Sequence, residues 1–399
     1  MGRDGTVLFP LELVRQTRSA RRTPFGPRNH AGMIGEAPSP IRAREADEHD
    51  FIVRALRAVG VSEPDANDVA GVLVAADLRG VESHGIARLD LFYVRRIEAG
   101  VVVPRPAYTA LCDRPTQLAL DAGNGLGHPA GIFAMRKTLE KAREQGLAFA
   151  TVRNSNHYGI AAYYAMMALE HGMIGLSMTN STHLAVPTFG RQKTQGTNPI
   201  AVAIPADGHP PYVLDMATTG VTFGRLEVSD RKGKPLKPGW AVDADGRETL
   251  DAALAMTSGA LLPLGGYGTE NGGHKGYGLG ALVEILCGVL SGGMFGTDLR
   301  LDERGLHGGS VGHFFAAFKI DALRDGAVFQ RDLARELCAF EESAPAPGAE
   351  RVMTAGEPER LNTERYRREG VPIDPKVWDG IDALAERLGI EKLERFTVG

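Results

Sequence analysis

Between Gln117 and Val152 the chain reads strand, glycine-rich turn, helix, strand, and no other stretch constrains the fold as much. Leu118-Ala119-Leu120-Asp121 is a short apolar run closed by an acid, Gly123 to Gly127 supply a turn, Ile132 to Glu144 carry helical periodicity, and Leu147 to Val152 form a second apolar run. Two strands joined through a helix have the form of a βαβ unit. Ile174–Met178, Ile200–Ile204 and Tyr212–Leu214 are short apolar segments bounded by Gly, Pro or Asn, which marks further strands. A sheet with covering helices is expected.

The flanks are helical. Phe51, Ile52, Leu56 and Val59 recur at helical spacing before a stop at Gly60, a second helix runs from Glu63 to Leu78, and an amphipathic run reaches Ile97 before Gly100. Leu333 to Phe340 and Val377 to Leu388 are helical again, on either side of a Pro- and Ala-rich stretch at Ser343–Gly348. The longest apolar stretch, Leu279 to Leu290, is broken by Glu284 and Gly288 and is too short for a bilayer, so it reads as a buried helix. Residues 1–46 contain arginines but no lysine, scattered prolines and no sustained apolar period beyond Val7–Val14. They read as a disordered extension; Asp4, Glu12 and Glu36 weigh against a targeting peptide. The expected division is a helical domain over 47–120 completed by 330–399, around an α/β domain over 121–329.

Composition removes several classes of function. A formal net charge of −4 on 399 residues gives no basic surface for nucleic acid or an anionic membrane. The three cysteines, Cys112, Cys287 and Cys338, lie far apart without the spacing of a zinc site or a disulfide framework, which fits a reducing cytoplasm. The histidines at 84, 157, 183 and 274 show no i, i+4 or H-E-x-x-H pairing, so no metal centre is expected.

Gly125-Leu126-Gly127-His128-Pro129-Ala130 matches the G-x-G-x-x-A form of the dinucleotide fingerprint, and Arg153 after the next strand would then face a ribose phosphate. As a lone motif it is weak, and an imidazole and a proline crowd the place of the pyrophosphate. His84, in Ser83-His84-Gly85 at a helix start, is the first choice for an acid/base, expected to titrate near neutrality; the plainer reading is a surface histidine. Arg88, four residues on, shares its face if the helix has begun, and a guanidinium there clamps a carboxylate or is an ordinary surface cation. Arg153-Asn154-Ser155-Asn156-His157-Tyr158-Gly159 is a polar cluster at a strand end, lining a site or capping a helix. Tyr212-Val213-Leu214-Asp215-Met216-Ala217-Thr218 carries an acid after strand residues, placed for a ribose hydroxyl, a carboxamide or an N-cap. Gly272-Gly273-His274-Lys275-Gly276 joins free N–H groups, a helix N-terminus and a cation in an anion site.

Taken together in this order, Ser83-His84-Gly85 with Arg88, Asn154 to Gly159, Gly196-Thr197-Asn198-Pro199, Leu214 to Thr218 and Gly273 to Gly278 resemble the malate/L-lactate dehydrogenase family, which includes ureidoglycolate, sulfolactate and diketogulonate oxidoreductases. The resemblance covers about residue 47 to the C-terminus. It implies an α/β fold that is not a Rossmann fold: a mixed, largely antiparallel sheet with covering helices, plus a helical domain formed from both chain ends. It implies a homodimer with active sites near the subunit interface, a small 2-hydroxyacid or 2-oxoacid substrate, and NAD or NADP as cofactor. By the same resemblance the Gly125 motif is a decoy and His84 is the proton donor, with Ser83, Arg88 and His157 beside it. Tyr212 to Thr218, His274 and Lys275 then contact the dinucleotide, and Gly356-Glu357-Pro358 completes the site. The family has Pro-Gly-Glu where this chain reads Ala355-Gly356-Glu357, which makes that loop less rigid.

The runner-up among enzymes is a reductase of cyclic 2-imino acids. A nonenzymatic dinucleotide-binding protein would keep Asp215 and Lys275 but have no use for His84 beside Arg88. A metal-dependent hydrolase is the third alternative.

Overall fold

The computed structural model describes residues 41–231, 233–299 and 311–397. Its central element is a seven-stranded sheet whose strands run, edge to edge, Thr109–Arg114, Gln117–Asp121, Leu147–Ser155, Val311–Lys319, Met173–Thr179, Ile200–Ile204 and Tyr212–Met216. Five of the six neighbouring pairs are antiparallel. Gln117–Asp121 and Leu147–Ser155 are parallel because helix Gly127–Gln145 crosses between them, as a βαβ connection requires. The mixed, largely antiparallel sheet expected from the resemblance is therefore present, and the βαβ reading holds within it.

Two large apolar cores flank the site. One packs the inner faces of helices Gly127–Gln145 and Ala161–Met166 on the sheet, through Ala130, Met135, Leu139, Ala150, Val152, Tyr164 and Phe315. The other joins both ends of the described chain: Phe51, Ile52 and Leu56 from helix Glu45–Ala58, Val69 and Leu73 from helix Glu63–Leu78, and Trp378, Ile381 and Leu384 from helix Pro375–Leu388. Each helix turns a stripe of large apolar residues at three- and four-residue spacing toward this core. Ser62 starts the second helix by accepting the Asp65 N–H, and Asp374 starts the last by accepting the Lys376 N–H, as N-caps do.

Three expectations change. Residues 1–40 lie outside the described residues, but the stretch read as an extension to 46 already contains a strand, Ile41–Ala43, paired on one side with Val371–Pro372 and on the other with Phe396–Thr397. Three residues of strand leave no visible period in a sequence. Helix Gly326–Glu341 lies beside the turn after Ile204, where Asp207 N–H donates to Gln330 O and His209 Nε2 lies 3.1 Å from Glu341. Finally, the apolar stretch 279–290 is not buried all round. Helix Gly273–Glu284 and its π-helical continuation Ile285–Val289 turn Gly276, Gly280, Val283 and Cys287 inward, and leave Leu282, Ile285, Val289 and Leu290 44–55% exposed. The glycines face the protein because backbone packs there: a Cβ on Gly276 would strike the Leu264 backbone.

Candidate active site

After helix Glu63–Leu78 the chain makes two three-residue turns, Glu82–His84 and Ile86–Arg88, and then a six-residue π-helical turn, Leu89–Val94. His84 and Arg88 are thus not on one α-helix, as their spacing suggested, but on consecutive turns tied through Ser83. The Ser83 hydroxyl lies 2.9 Å from His84 Nδ1, and Arg88 Nε donates to the Ser83 carbonyl at 2.6 Å. Nε2 of His84 has no protein partner among the described residues. Helix Phe223–Arg231 covers the Arg88 side: Glu227 approaches the guanidinium at 3.8 Å, and a Cβ on Gly224 would touch Ser83 and Arg88.

The strand end at Ser155 delivers His157 to the same place, its ring 5.4 Å from that of His84 in a stacked arrangement. Nδ1 of His157 receives the Gly159 N–H at 3.3 Å and lies 2.7 Å from the Tyr93 hydroxyl. A backbone N–H only donates, so Nδ1 accepts, Tyr93 donates to it, and the proton of the neutral ring is on Nε2. Phe92 closes the cluster, with its ring 5.5 Å from His157 and the guanidinium carbons of Arg88 and Arg96 4.7 and 4.6 Å from its centroid, within cation–π range. Arg96 is 5% exposed and its Nε has no partner among the described residues.

This environment overturns one expectation. Burial, and then the Arg88 charge, pull His84 down to about 4 rather than leaving it near neutrality. His157 is also pulled well below its ordinary value, by burial first and then by His84, His128 and the two arginines. A positively charged, desolvated pocket disfavours imidazolium, so both rings are neutral at pH 7.

The second group of residues gathers along the edge strand Tyr212–Met216. Val213 N–H donates to Ala355 O at 3.1 Å, and Gly356, at φ +90°, packs so closely on Val213 that a side chain there would collide with it. Gly356-Glu357-Pro358 starts helix Glu357–Glu369 at this contact, with Glu357 paired to Arg351 at 2.7 Å. Asp215 accepts the Ala162 N–H at 2.8 Å in the first turn of helix Ala161–Met166. It therefore does the work of a cap, for a helix distant in sequence and from a position inside a strand. Beyond Met216 and Ala217, the Thr218 hydroxyl donates to the carbonyls of Thr197 and Asn198, both at 3.1 Å. Its carbonyl accepts the Leu264 N–H, beside the first turns of helix Gly273–Glu284. That helix begins at Gly272, φ +89°, with no side-chain cap, and exposes His274 and Lys275 in its first turn. Tyr212 to Thr218 thus runs from Gly356 at one end to the uncapped helix at the other, and six residues beyond Thr218 the chain reaches Gly224 against Ser83.

The Gly125 motif is filled. A Cβ on Gly127 would collide with the carbonyls of Asn156 and His157, His128 is fully buried against Tyr93 at 4.8 Å, and Arg153 is occupied by Asp121 at 3.0 Å. The N-terminus of that helix has no space for a pyrophosphate. Sequence reasoning passed over Phe92, Tyr93, Arg96 and Glu227. Ile86, Leu89, Tyr93, Val94 and Ile97 are buried at ordinary helical spacing, so the period does not mark the π turn, although such turns concentrate at functional sites.

Comparison with known proteins gives a consistent result. Residues 44–382 match the family model described as malate/L-lactate dehydrogenase. A malate dehydrogenase of Pyrococcus abyssi is 42% identical over 354 residues, 89% of this chain and 97% of that protein. The ureidoglycolate dehydrogenase (NAD(+)) of Escherichia coli K12 is 30% identical over 339 residues, 84% of this chain and 94% of its own. Among solved structures, a malate dehydrogenase from Pyrococcus horikoshii OT3 matches with a TM-score of 0.82 at 40% identity, covering 91% of this chain and 99% of that one.

Proposed function

The chain belongs to the malate/L-lactate dehydrogenase family, and from that premise we propose that it interconverts a small 2-hydroxyacid and its 2-oxoacid, with His84 as general acid and base. The observation that carries this reading is the bridge through Ser83, which holds His84 Nδ1 and the Arg88 guanidinium in fixed relation and leaves His84 Nε2 open. A carboxylate on Arg88 puts the neighbouring 2-oxygen beside that nitrogen.

The E. coli relative is named for NAD(+), and a bound nicotinamide dinucleotide supplies or accepts the hydride. The donor set here suits such a group: Lys275 and the uncapped first turn of helix Gly273–Glu284 for phosphates, with Tyr212 to Thr218 and Gly356-Glu357-Pro358 alongside. In reduction His84 gives a proton to the oxygen that becomes the hydroxyl, and in oxidation it takes that proton back. His157, stacked on His84 at 5.4 Å, is a second neutral ring beside the reacting atoms, and Phe92 and Tyr93 keep water from them.

The exposed face of Leu282, Ile285, Val289 and Leu290 supports a homodimer, since contiguous large apolar residues on a surface mark an interface. The protein works in the cytoplasm by this reading, which the three free cysteines suit. The test is a panel of oxaloacetate, pyruvate and piperideine carboxylate against NADH and NADPH, followed at the nicotinamide absorbance. Oxidation of a reduced dinucleotide with a 2-oxoacid and its loss in His84→Asn support the proposal; reduction of the cyclic imine alone sinks it.

A further inference from the structure

Two carboxyl groups lie under the Ser83–Gly85 turn, and the chemistry above does not use them. Glu48, on helix Glu45–Ala58, is fully buried, and Asp77, at the end of helix Glu63–Leu78, is 6% exposed. Asp77 accepts the Ile86 N–H at 2.6 Å, and it lies so close beneath Gly85 that a Cβ there would collide with all three carboxylate atoms. Among the described residues neither carboxyl has an ion pair; the charges that act on them are Glu45 and Glu82, of the same sign. Two buried acids without a cation are costly unless they share a proton.

We propose that Asp77, seated on Glu48, is the positioning residue for His84: its carboxylate clamps the backbone at Gly85 and Ile86 and so fixes the imidazole between Ser83 and His157. This rests on the assignment of His84 as the acid. Both Glu48 carboxyl oxygens are buried without any other hydrogen-bond partner among the described residues; burial raises both carboxyls, and Asp77 raises Glu48 further, which favours a shared proton carried by Glu48 and directed at Asp77. The remaining lone pairs of Asp77 are then directed at the Ile86 N–H, a charge-assisted bond of the stronger kind. Gly85 is the one residue type that permits this approach, which gives the glycine of the Ser-His-Gly motif a packing reason.

The test uses the full-length protein and the variants Asp77→Ala, Glu48→Gln and Glu48→Leu, with oxaloacetate and NADH as probes. Amide hydrogen exchange at Ile86, kcat, KM and the NADH Kd are measured for each. In Asp77→Ala, which removes the acceptor of the Ile86 N–H, and in Glu48→Leu, exchange at Ile86 rises about 10-fold or more as the clamp opens. In both, kcat falls roughly 10–100-fold, the scale of a misplaced catalytic group, while the NADH Kd stays within about twofold, because no dinucleotide contact is altered. Glu48→Gln, whose amide still donates to Asp77, keeps slow exchange and most of the turnover. Unchanged exchange in Asp77→Ala overturns the proposal, as does Glu48→Gln behaving like Glu48→Leu. Faster exchange with undiminished kcat overturns it as well, and His84→Asn then shows which claim failed: if that variant also turns over normally, the catalytic reading itself falls. Should Asp77→Ala not fold, the two Glu48 variants decide.

Discussion

The Tyr93 hydroxyl donates to Nδ1 of His157 across 2.7 Å, and this one bond joins the π-helical turn Leu89–Val94 to the end of strand Leu147–Ser155. It fixes both the ring orientation and the tautomer of His157. Tyr93→Phe leaves Nδ1 with only the 3.3 Å contact from Gly159 N–H, at a cost in stability of about 1 kcal/mol, the usual worth of one buried hydrogen bond. The expected kinetic effect is a fall in kcat of about tenfold as the ring loses its orientation, with NADH affinity intact. Wild-type kcat would show that turnover does not depend on how His157 is held.

His84 is held near 4 by burial and by Arg88, so the free protein carries it neutral over most of the working range. An anionic substrate on Arg88 cancels part of the charge that lowers it. The group therefore gains proton affinity when a 2-oxoacid binds, and by linkage the oxoacid binds more tightly to the protonated form. The limb of kcat/KM for reduction, which reports the free enzyme, should lie at lower pH than the limb of kcat, which reports the complex. His84→Asn should lower kcat by roughly 10²–10⁴-fold, the worth of a general acid. Coincident limbs would show that substrate charge does not reach His84.

Lys275 stands exposed in an uncapped first helical turn, remote in sequence from the reacting groups. A phosphate contact there stabilises ground and transition states alike, so Lys275→Ala should raise the KM for the dinucleotide by roughly 10–100-fold and leave kcat nearly unchanged. Unchanged dinucleotide affinity with collapsed turnover would place the lysine in the chemistry instead.

Leu282, Ile285, Val289 and Leu290 form the exposed face of their helix, and a homodimer is the occupant proposed for it. Ile285→Glu places a charge in that face and should convert a dimer into a monomer in light scattering. A wild-type protein that is itself monomeric removes the proposal.

Sequence legibility followed the range of the signal. The βαβ unit at 117–152 and the strands at 173–179, 200–204 and 212–216 were readable because their apolar runs and turn residues are local, and helices 45–58 and 63–78 because their periods are long; strands Thr109–Arg114 and Val311–Lys319, the second at the centre of the sheet, were not read. The interior position of Glu284 was not: a carboxylate in an apolar run reads as an interruption, yet Asn180, Asn198 and the Gly296 N–H all donate to it, from segments that are distant along the chain. Asp77 and Glu48 were missed for the same reason, since a buried carboxyl is identical in sequence to a surface one. The His84–Arg88 pairing was found by the wrong geometry: four-residue spacing suggested one helix, and two short turns bridged by Ser83 brought the groups together. His274 and Lys275 were located by their glycines, which the structure uses for packing as much as for open N–H groups.

His128 and His313 should make the fold sensitive to acid. Both are fully buried, and burial pulls each down to about 3. His313 is satisfied as a neutral ring: Thr179 Oγ1 lies 2.8 Å from Nδ1 and Ser155 Oγ 2.8 Å from Nε2, with Tyr158 stacked at 4.5 Å. The Thr179 hydroxyl proton is directed to the carbonyls of Asn180 and Gly312, so in the neutral ring Nδ1 donates to Thr179 and Nε2 accepts from Ser155. His128 has no hydrogen-bond partner at either nitrogen among the described residues. In the unfolded chain both titrate near the ordinary histidine value of about 6.5, so below that pH the unfolded state binds more protons than the folded one. Stability from this source is complete above about pH 6.5 and is lost as pH falls toward the folded values, on the order of 3 kcal/mol per ring by pH 4. Replacing His128 with Phe removes one of the two titrations while filling the same space. The expected result is a shallower fall of ΔG, from urea unfolding, between pH 6.5 and 4, whatever the change at pH 7. An unaltered slope would mean that His128 is not held neutral by its burial.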